Sequence, residues 1–286
     1  MKHDNGFKYF SLSAIWLWLS IFALFPLCLV TLASFLSHDQ DSLVRLPFTI
    51  TNYLNLFNPL HLTLKIFERS FYMAGFCTLI CLALGYPFAF LIARLKNSWK
   101  NFLILLIIIP FWTSSLIRTY SMMTLLKSKG VINTILLSLH IIDKPLSLLY
   151  TDTAVLIGLV YNLLPFMVLP LITNIERLDN QLIDAARDLG ANRLTTLIRI
   201  ILPLTMPGIL AGCILVFLPA MTIFYIPDLL GGAKSILLGN VIQSQFLVSQ
   251  NWPAGSAMSI VLTLLLGFLL IIYWRSKRDK EAGELL

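Results

Sequence analysis

Repeated runs of apolar residues, each long enough to cross a bilayer, restrict this chain more than any other feature. A helix rises about 1.5 Å per residue, so about 20 apolar residues cover the roughly 30 Å of hydrocarbon. Such runs fall at about Leu12–Phe35, Ser70–Ala93, Asn101 onward, Ala154–Ile172, Leu204–Tyr225 and Gly255–Trp274. Hydrocarbon leaves no water for stray backbone groups, so each run must close its own hydrogen bonds, and at this length that means a helix. The expected fold is therefore all-α, with six transmembrane helices spanning residues 12–274 between tails at 1–11 and 275–286. With 58% hydrophobic and 12% charged residues, the chain is excluded from the soluble globular classes. The first run is longer than the 7–15 residues of a signal-peptide core and is expected to be retained.

The net charge of +7 raises the question of nucleic acid, but the basic residues sit beside the spans and no nucleic-acid motif accompanies them. They are also unevenly shared. One side carries Lys2, Lys8, Arg94, Lys96, Lys100, Arg177, Arg187, Arg193, Arg199, Arg275, Lys277, Arg278 and Lys280. The other side has fewer, spread over longer segments. Positive residues collect on the cytoplasmic face, which places both termini and the loop at 175–203 in the cytoplasm.

Several spans are interrupted. Gly85 and Pro87 are expected to disturb the inner end of the second, and Pro110 to break the third. The continuation of the third, PFWTSSLIRTYSMM, is too polar for a lipid-facing helix and suits a protein-lined or water-filled cavity. A short amphipathic helix is expected over Val131–Ile142, ended by Asp143-Lys144-Pro145. Residues 36–69 read as a polar segment with a surface helix, and the tail from Arg275 as polar and unstructured. Cys28, Cys77, Cys81 and Cys213 all lie in apolar runs and read as buried thiols rather than disulfides or metal ligands.

The loop at 175–203 reads IERLDNQLIDAARDLGANRLTTLIRIILP. Leu178, Leu182, Ala185 or Ala186, and Leu189 recur at helical spacing and predict one apolar stripe. Gly190 follows where a helix would end in a left-handed residue. A second stripe, Leu194, Leu197, Ile198 and Ile201, runs to Pro203, which is expected to stop the ladder. Asp184-Ala185-Ala186, Gly190, Ile200, Leu202 and Pro203 resemble the EAA loop, EAA-x3-G-x9-I-x-LP, of binding-protein-dependent ABC importer permeases. Asp184 stands where that pattern has Glu, which keeps the charge and shortens the reach. FTITNYLNLFNP, GYPFAFLIARL, PFWTSSLIRTY and FYIPDLLGGAKSILLGN are similar to the spermidine/putrescine group of that family.

The resemblance implies the type I importer permease fold in the inner membrane. It implies that the loop couples to an ATPase dimer that holds the ATP and Mg. It further implies a second homologous permease subunit and a periplasmic polyamine-binding protein as partners. The residues themselves offer no catalytic constellation. GGAKS at 231–235 lacks the P-loop spacing, and His3, His38, His61 and His140 are scattered. For a cationic cargo, carboxylates and aromatic faces are the needed chemistry, and Trp112, Tyr161, Phe224, Tyr225 and Asp228 are the candidates near the outer span ends. Pro227 is expected to bias Ile226 away from helical angles, which puts a shared Phe224–Asp228 face in question. An importer for another solute, such as an inorganic anion or a metal complex, is the alternative. A secondary transporter would instead favour an internal repeat and intramembrane charges, which the chain lacks.

Overall fold

The computed structural model describes residues 4–39, 42–57 and 62–283. The extremes of both expected tails, with His3, Asp41 and His61, lie outside the described residues. Among those described, five helices are long and apolar enough to cross a membrane: Leu12–Ser34, Thr63–Ala93, Asp152–Ile175, Arg193–Thr222 and Trp252–Ile271. A bent pair, Asn97–Trp112 and Ser115–Ser138, turned by 93°, is apolar enough to join them only when its two helices are taken together. They are numbered here in chain order as spans 1, 2, 4, 5 and 6, with the bent pair as span 3. A two-stranded antiparallel hairpin, Ser37–Asp39 with Ser42–Arg45, is the one sheet among the described residues.

The chain forms two compact units. The smaller comprises residues 1–64 and 241–268. Here the end of span 1 is fastened to the short helix Thr51–Phe57. Asn52 donates from Nδ2 to the carbonyls of Ser34 and Leu36, at 3.0 and 2.9 Å, and the Ser34 hydroxyl meets Tyr53 Oη at 2.7 Å. Those bonds occupy carbonyls that the helix end leaves open. At the start of span 6, Gly255 lies flat on the Phe246 ring, where a Cβ would come within 2.9 Å.

The larger unit, 65–240 with 269–286, is built around span 4. Half of the residues in its apolar window are buried, including Leu159, Leu163, Met167 and Leu171. In hydrocarbon there is no hydrophobic drive between helices, so close backbone approach by small residues must hold them together. Span 5 supplies Gly212, where a Cβ would sit 2.7 Å from Met167 Sδ and 3.1 Å from its carbonyl oxygen. Span 2 packs Gly85 against Met167 on the same helix. Tyr86 Oη and Thr205 Oγ1, 3.0 Å apart, join spans 2 and 5.

Several prolines behave differently from expectation. Span 2 is one helix, Leu62–Ala93, that runs through Gly85 and Pro87 without a break and begins well before Ser70. Span 5 runs through Pro203. The residues just before it, Leu197–Ile201, form a wide π turn in which Leu202 N–H reaches back to the Leu197 carbonyl. Proline in a regular helix clashes with the carbonyl four residues earlier, and widening the turn moves that carbonyl away. The same device precedes Pro26, where Ser20–Leu24 is a π turn inside span 1. Pro110 does break its helix: a 3₁₀ turn, Ile109–Trp112, leads into the bend.

The tail beyond Trp274 is helical as far as Gly283, and the first helix starts at Asp4. Lys, Arg, Glu and Ala are strong helix formers, so a span already nucleated in the membrane extends through them. The helix after Gly130 is Val131–Ser138, shorter than expected. His140 ends it at φ 54°, with Ile141 N–H bonded to the Leu136 carbonyl, before Asp143 is reached. Buried Asn133 then ties the following chain down, bonding both the N–H and the carbonyl of Leu146.

Candidate coupling segment and transport cavity

The segment between spans 4 and 5 folds as helix, turn, helix because its polar residues are placed to cap. Asp179 accepts from Gln181 N–H at 2.9 Å and opens the helix Asn180–Asp188. Gly190 closes it at φ 79°, with its N–H on the Arg187 carbonyl and Ala191 N–H on the Ala186 carbonyl. That pair of bonds is the Schellman end, and a side chain at φ 79° would be strained. Asn192 then accepts from Thr195 N–H at 2.8 Å and starts the helix that becomes span 5. Each side-chain cap of this kind is worth about 1 kcal/mol.

The faces of these helices differ from the expected stripe. Ile183 and Ala186 are the buried pair of the first helix, whereas Leu182, Ala185 and Leu189 are exposed, Leu189 at 89%. In the second helix Thr196 and Ile201 are buried, while Leu194 and Ile198 stand out. Asp184 is exposed and pairs with Arg187 at 3.2 Å. Ile200 and Leu202 are half-buried and Pro203 is exposed. The outward face is thus apolar at Leu182, Ala185, Leu189, Leu194 and Ile198, with Asp184 beside it.

The bend of span 3 opens a cavity of about 460 Å³ against spans 4 and 5. Phe111, Arg118, Asn162, Phe166 and Tyr225 are among its lining residues. The Phe111 and Phe166 rings meet edge to face at 5.1 Å, and the Arg118 guanidinium lies 5.5 Å from the Phe111 ring centre. Arg118 Nε and Asn162 Oδ1 are buried without hydrogen-bond partners. A buried polar atom left unpaired costs about 1–3 kcal/mol, so both atoms favour a water or a solute in this space.

Of the aromatic and acidic candidates, Tyr225 lines this cavity. Trp112 is 81% exposed, and Tyr161 and Phe224 are also exposed. Phe224 and Tyr225 meet edge to face at 6.0 Å. Ile226 is helical after all, at φ −69° and ψ −51°, and Asp228 N–H bonds the Phe224 carbonyl. Burial overrides the local bias: Ile226 and Leu230 press onto span 4 at Gly158, where any Cβ would meet Leu230 at 2.3 Å. Asp228 is exposed and accepts from Asn240 Nδ2, which also donates to the Phe224 carbonyl at 2.8 Å. Asn240 was invisible as a partner in the sequence, because twelve residues and a turn separate it from Asp228.

Asp152 has a further partner that the sequence hid. Arg69 ion-pairs with it and also donates to the Lys234 carbonyl, while the Ser235 hydroxyl bonds the same carboxylate. Arg69 sits inside the span 2 helix rather than in the preceding loop, which brings it to span 4. Among the described residues there is no group of three or more His, Cys, Asp or Glu placed to hold a metal ion.

This architecture, a set of long apolar helices with a capped amphipathic segment between two of them, is that of a membrane permease component. A family model described as "Binding-protein-dependent transport system inner membrane component" matches residues 85–275, and the chain belongs to that family. It is accordingly a multi-pass inner-membrane protein and a non-catalytic permease subunit, and its long helices are consistent with the type I ABC permease fold. Among its relatives is the spermidine/putrescine transport system permease protein PotB of Haemophilus influenzae, 51% identical over 275 residues, 96% of each chain. PotB of Salmonella typhimurium is 50% identical over 287 residues, covering 100% of this chain and 99% of that one. The chain is thus closely related to PotB-type permease subunits. A solved bacterial alginate ABC transporter, in complex with an alginate pentasaccharide-bound periplasmic protein, matches with a TM-score of 0.76 over 96% of this chain and 95% of that one. At 17% identity, that likeness speaks for the fold alone.

Proposed function

We propose that this chain is the transmembrane permease subunit of an ATP-driven importer that moves spermidine and putrescine into the cytoplasm. The observation that carries the reading is the identity of about half the residues to PotB over nearly all of both chains. In this reading both termini and the 175–203 segment are cytoplasmic, and residues 12–274 form the six-span permease domain. A second homologous permease subunit completes the pore, an ATPase dimer carrying ATP and Mg binds below, and a periplasmic polyamine-binding protein delivers cargo.

Asp184, Ala185, Ala186, Gly190, Ile200, Leu202 and Pro203 are the coupling residues. The outward apolar face at Leu182, Leu189, Leu194 and Ile198 supports that role, since such side chains gain by being covered in a partner's cleft. Trp112, Tyr161, Phe224, Tyr225 and Asp228 line the cation path from outside. The ATPase cycle biases the spans between inward-open and outward-open packings.

One observation favours an inorganic anion instead: the 460 Å³ cavity is lined by Arg118 and, among the described residues, by no carboxylate. Uptake by the purified complex in vesicles, with spermidine, putrescine and inorganic anions as competing cargoes, separates the two. ATP-dependent spermidine uptake supports the proposal. Uptake of an anion in preference to both polyamines overturns it.

A further inference from the structure

A second cavity of the larger unit lies behind the helix–Gly190–helix segment, away from its exposed apolar face. It measures about 350 Å³, room for roughly ten waters at about 30 Å³ each. Its charge is one-sided. Arg94, at the end of span 2, and Arg187 and Arg193, from the loop, all line it. Asp184 pairs with Arg187, but Arg94 and Arg193 have no carboxylate partner among the described residues. Arg94 is held in place over the Phe90 ring at 4.2 Å. The remaining wall is apolar, with Phe90, Ile183 and Ile201 contributing.

This combination selects a ligand. Planar guanidinium forks match phosphate oxygens, and two uncompensated cations repel an ammonium group. A free phosphate would satisfy the arginines and leave the apolar wall wet. A phosphodiester bearing acyl chains satisfies both surfaces. The position agrees, because span 2 ends at Ala93 and span 5 begins at Arg193, so the cavity lies where these two apolar helices end. Basic pockets between membrane helices on the cytoplasmic side suit anionic lipid headgroups.

We propose that this arginine-rimmed cavity binds the phosphodiester headgroup of an anionic phospholipid of the cytoplasmic leaflet. The proposal rests on the cytoplasmic orientation of the loop given above. One phosphate bridging Arg94 to Arg187 and Arg193 fastens the loop to span 2 and braces the coupling helix from behind.

The test uses the assembled transporter in nanodiscs of phosphatidylcholine mixed with phosphatidylglycerol, with retained lipid counted per intact complex by native mass spectrometry. Counting per complex means that poor assembly lowers yield without altering the ratio. The wild type should hold a phosphatidylglycerol that the Arg94→Gln, Arg193→Gln double variant loses, with affinity falling roughly fivefold per arginine and about thirtyfold for both. Arg94→Lys with Arg193→Lys should retain more than the Gln pair, and added inorganic phosphate should not displace the lipid. Equal retention by wild type and the Gln pair overturns the lipid site. Displacement by inorganic phosphate also overturns it, in favour of a free-anion site. Neither readout needs transport, so either failure leaves the polyamine reading standing. Absence of spermidine uptake in every lipid mixture, with retention intact, counts against that reading alone.

Discussion

Gly190→Val separates the proposed coupling role of the 175–203 segment from its folding. At φ 79° a valine is strained by the backbone, yet no atom lies within 4 Å of where its Cβ would sit, so sterics with neighbours add nothing. The cost is therefore the left-handed conformation itself, about 1–2 kcal/mol or somewhat more for a β-branched residue. The helix it terminates has Ile183 and Ala186 as its buried residues, so little packing opposes a shift. A strain of this size lowers the ratio of native to altered turn about 5- to 30-fold, because each 1.4 kcal/mol is a factor of ten. Spans 4 and 5 do not depend on that turn, and insertion and assembly should be normal. ATPase stimulation by cargo-loaded binding protein, measured on purified complex, should fall by up to that factor, with uptake falling in parallel. Gly190→Asn should lose much less, since Asn visits the left-handed region more readily. Full stimulation of the Gly190→Val complex would refute the argument that this turn aims the coupling helix.

A topology reporter fused after Arg193 should read cytoplasmic, and one after Lys144 external; an external reading at Arg193 excludes an ATPase at that loop. Asp228→Asn removes charge at constant shape and should reduce spermidine uptake severely at matched complex levels, while Phe224→Leu should cost less, a single cation–π contact being worth at most about 2 kcal/mol. Unchanged uptake by the Asp228→Asn complex removes that residue from the path. Gly212→Val forces a side chain onto Met167 and should destabilise the span 4–span 5 contact by about 1–3 kcal/mol, read as a lower thermal midpoint of the purified complex. An unchanged midpoint would show that the two helices are not held by that approach.

Length and hydropathy were enough to find the long apolar helices, though not all their ends, because a bilayer imposes a minimum run that few soluble helices reach. Gly190 was legible for a similar reason: one residue type tolerates its backbone, so the residue announces the conformation. The inward face of the helix Asn180–Asp188 was not legible. Leu182 and Leu189 form as good a stripe as Ile183 and Ala186, and at a membrane face either can meet protein, lipid or a partner. Spacing gives a period but not its phase. Asp228–Asn240 and Arg69–Asp152 were hidden because each joins residues whose proximity depends on how separate elements pack. Arg118, in the polar continuation of the third span, has a place that its sequence position does not reveal. It lines the cavity of the broken span, over Phe111.

The continuity of span 5 links the 175–203 segment to the 460 Å³ cavity. Sequence rules place a stop at Pro203, and two separate helices would transmit motion poorly across a loose joint. The π turn at Leu197–Ile201 removes the stop, so Arg193–Thr222 is a single run of 30 residues, about 45 Å at 1.5 Å per residue. One end starts three residues after Gly190. The other carries Pro219, which lines the 460 Å³ cavity beside Ile223 and Tyr225. In the proposed importer, a tilt imposed on the capped end by an ATPase would be delivered to the cavity wall along this one helix. The close seat of Gly212 on Met167 lies partway along that helix and is placed to act as its pivot.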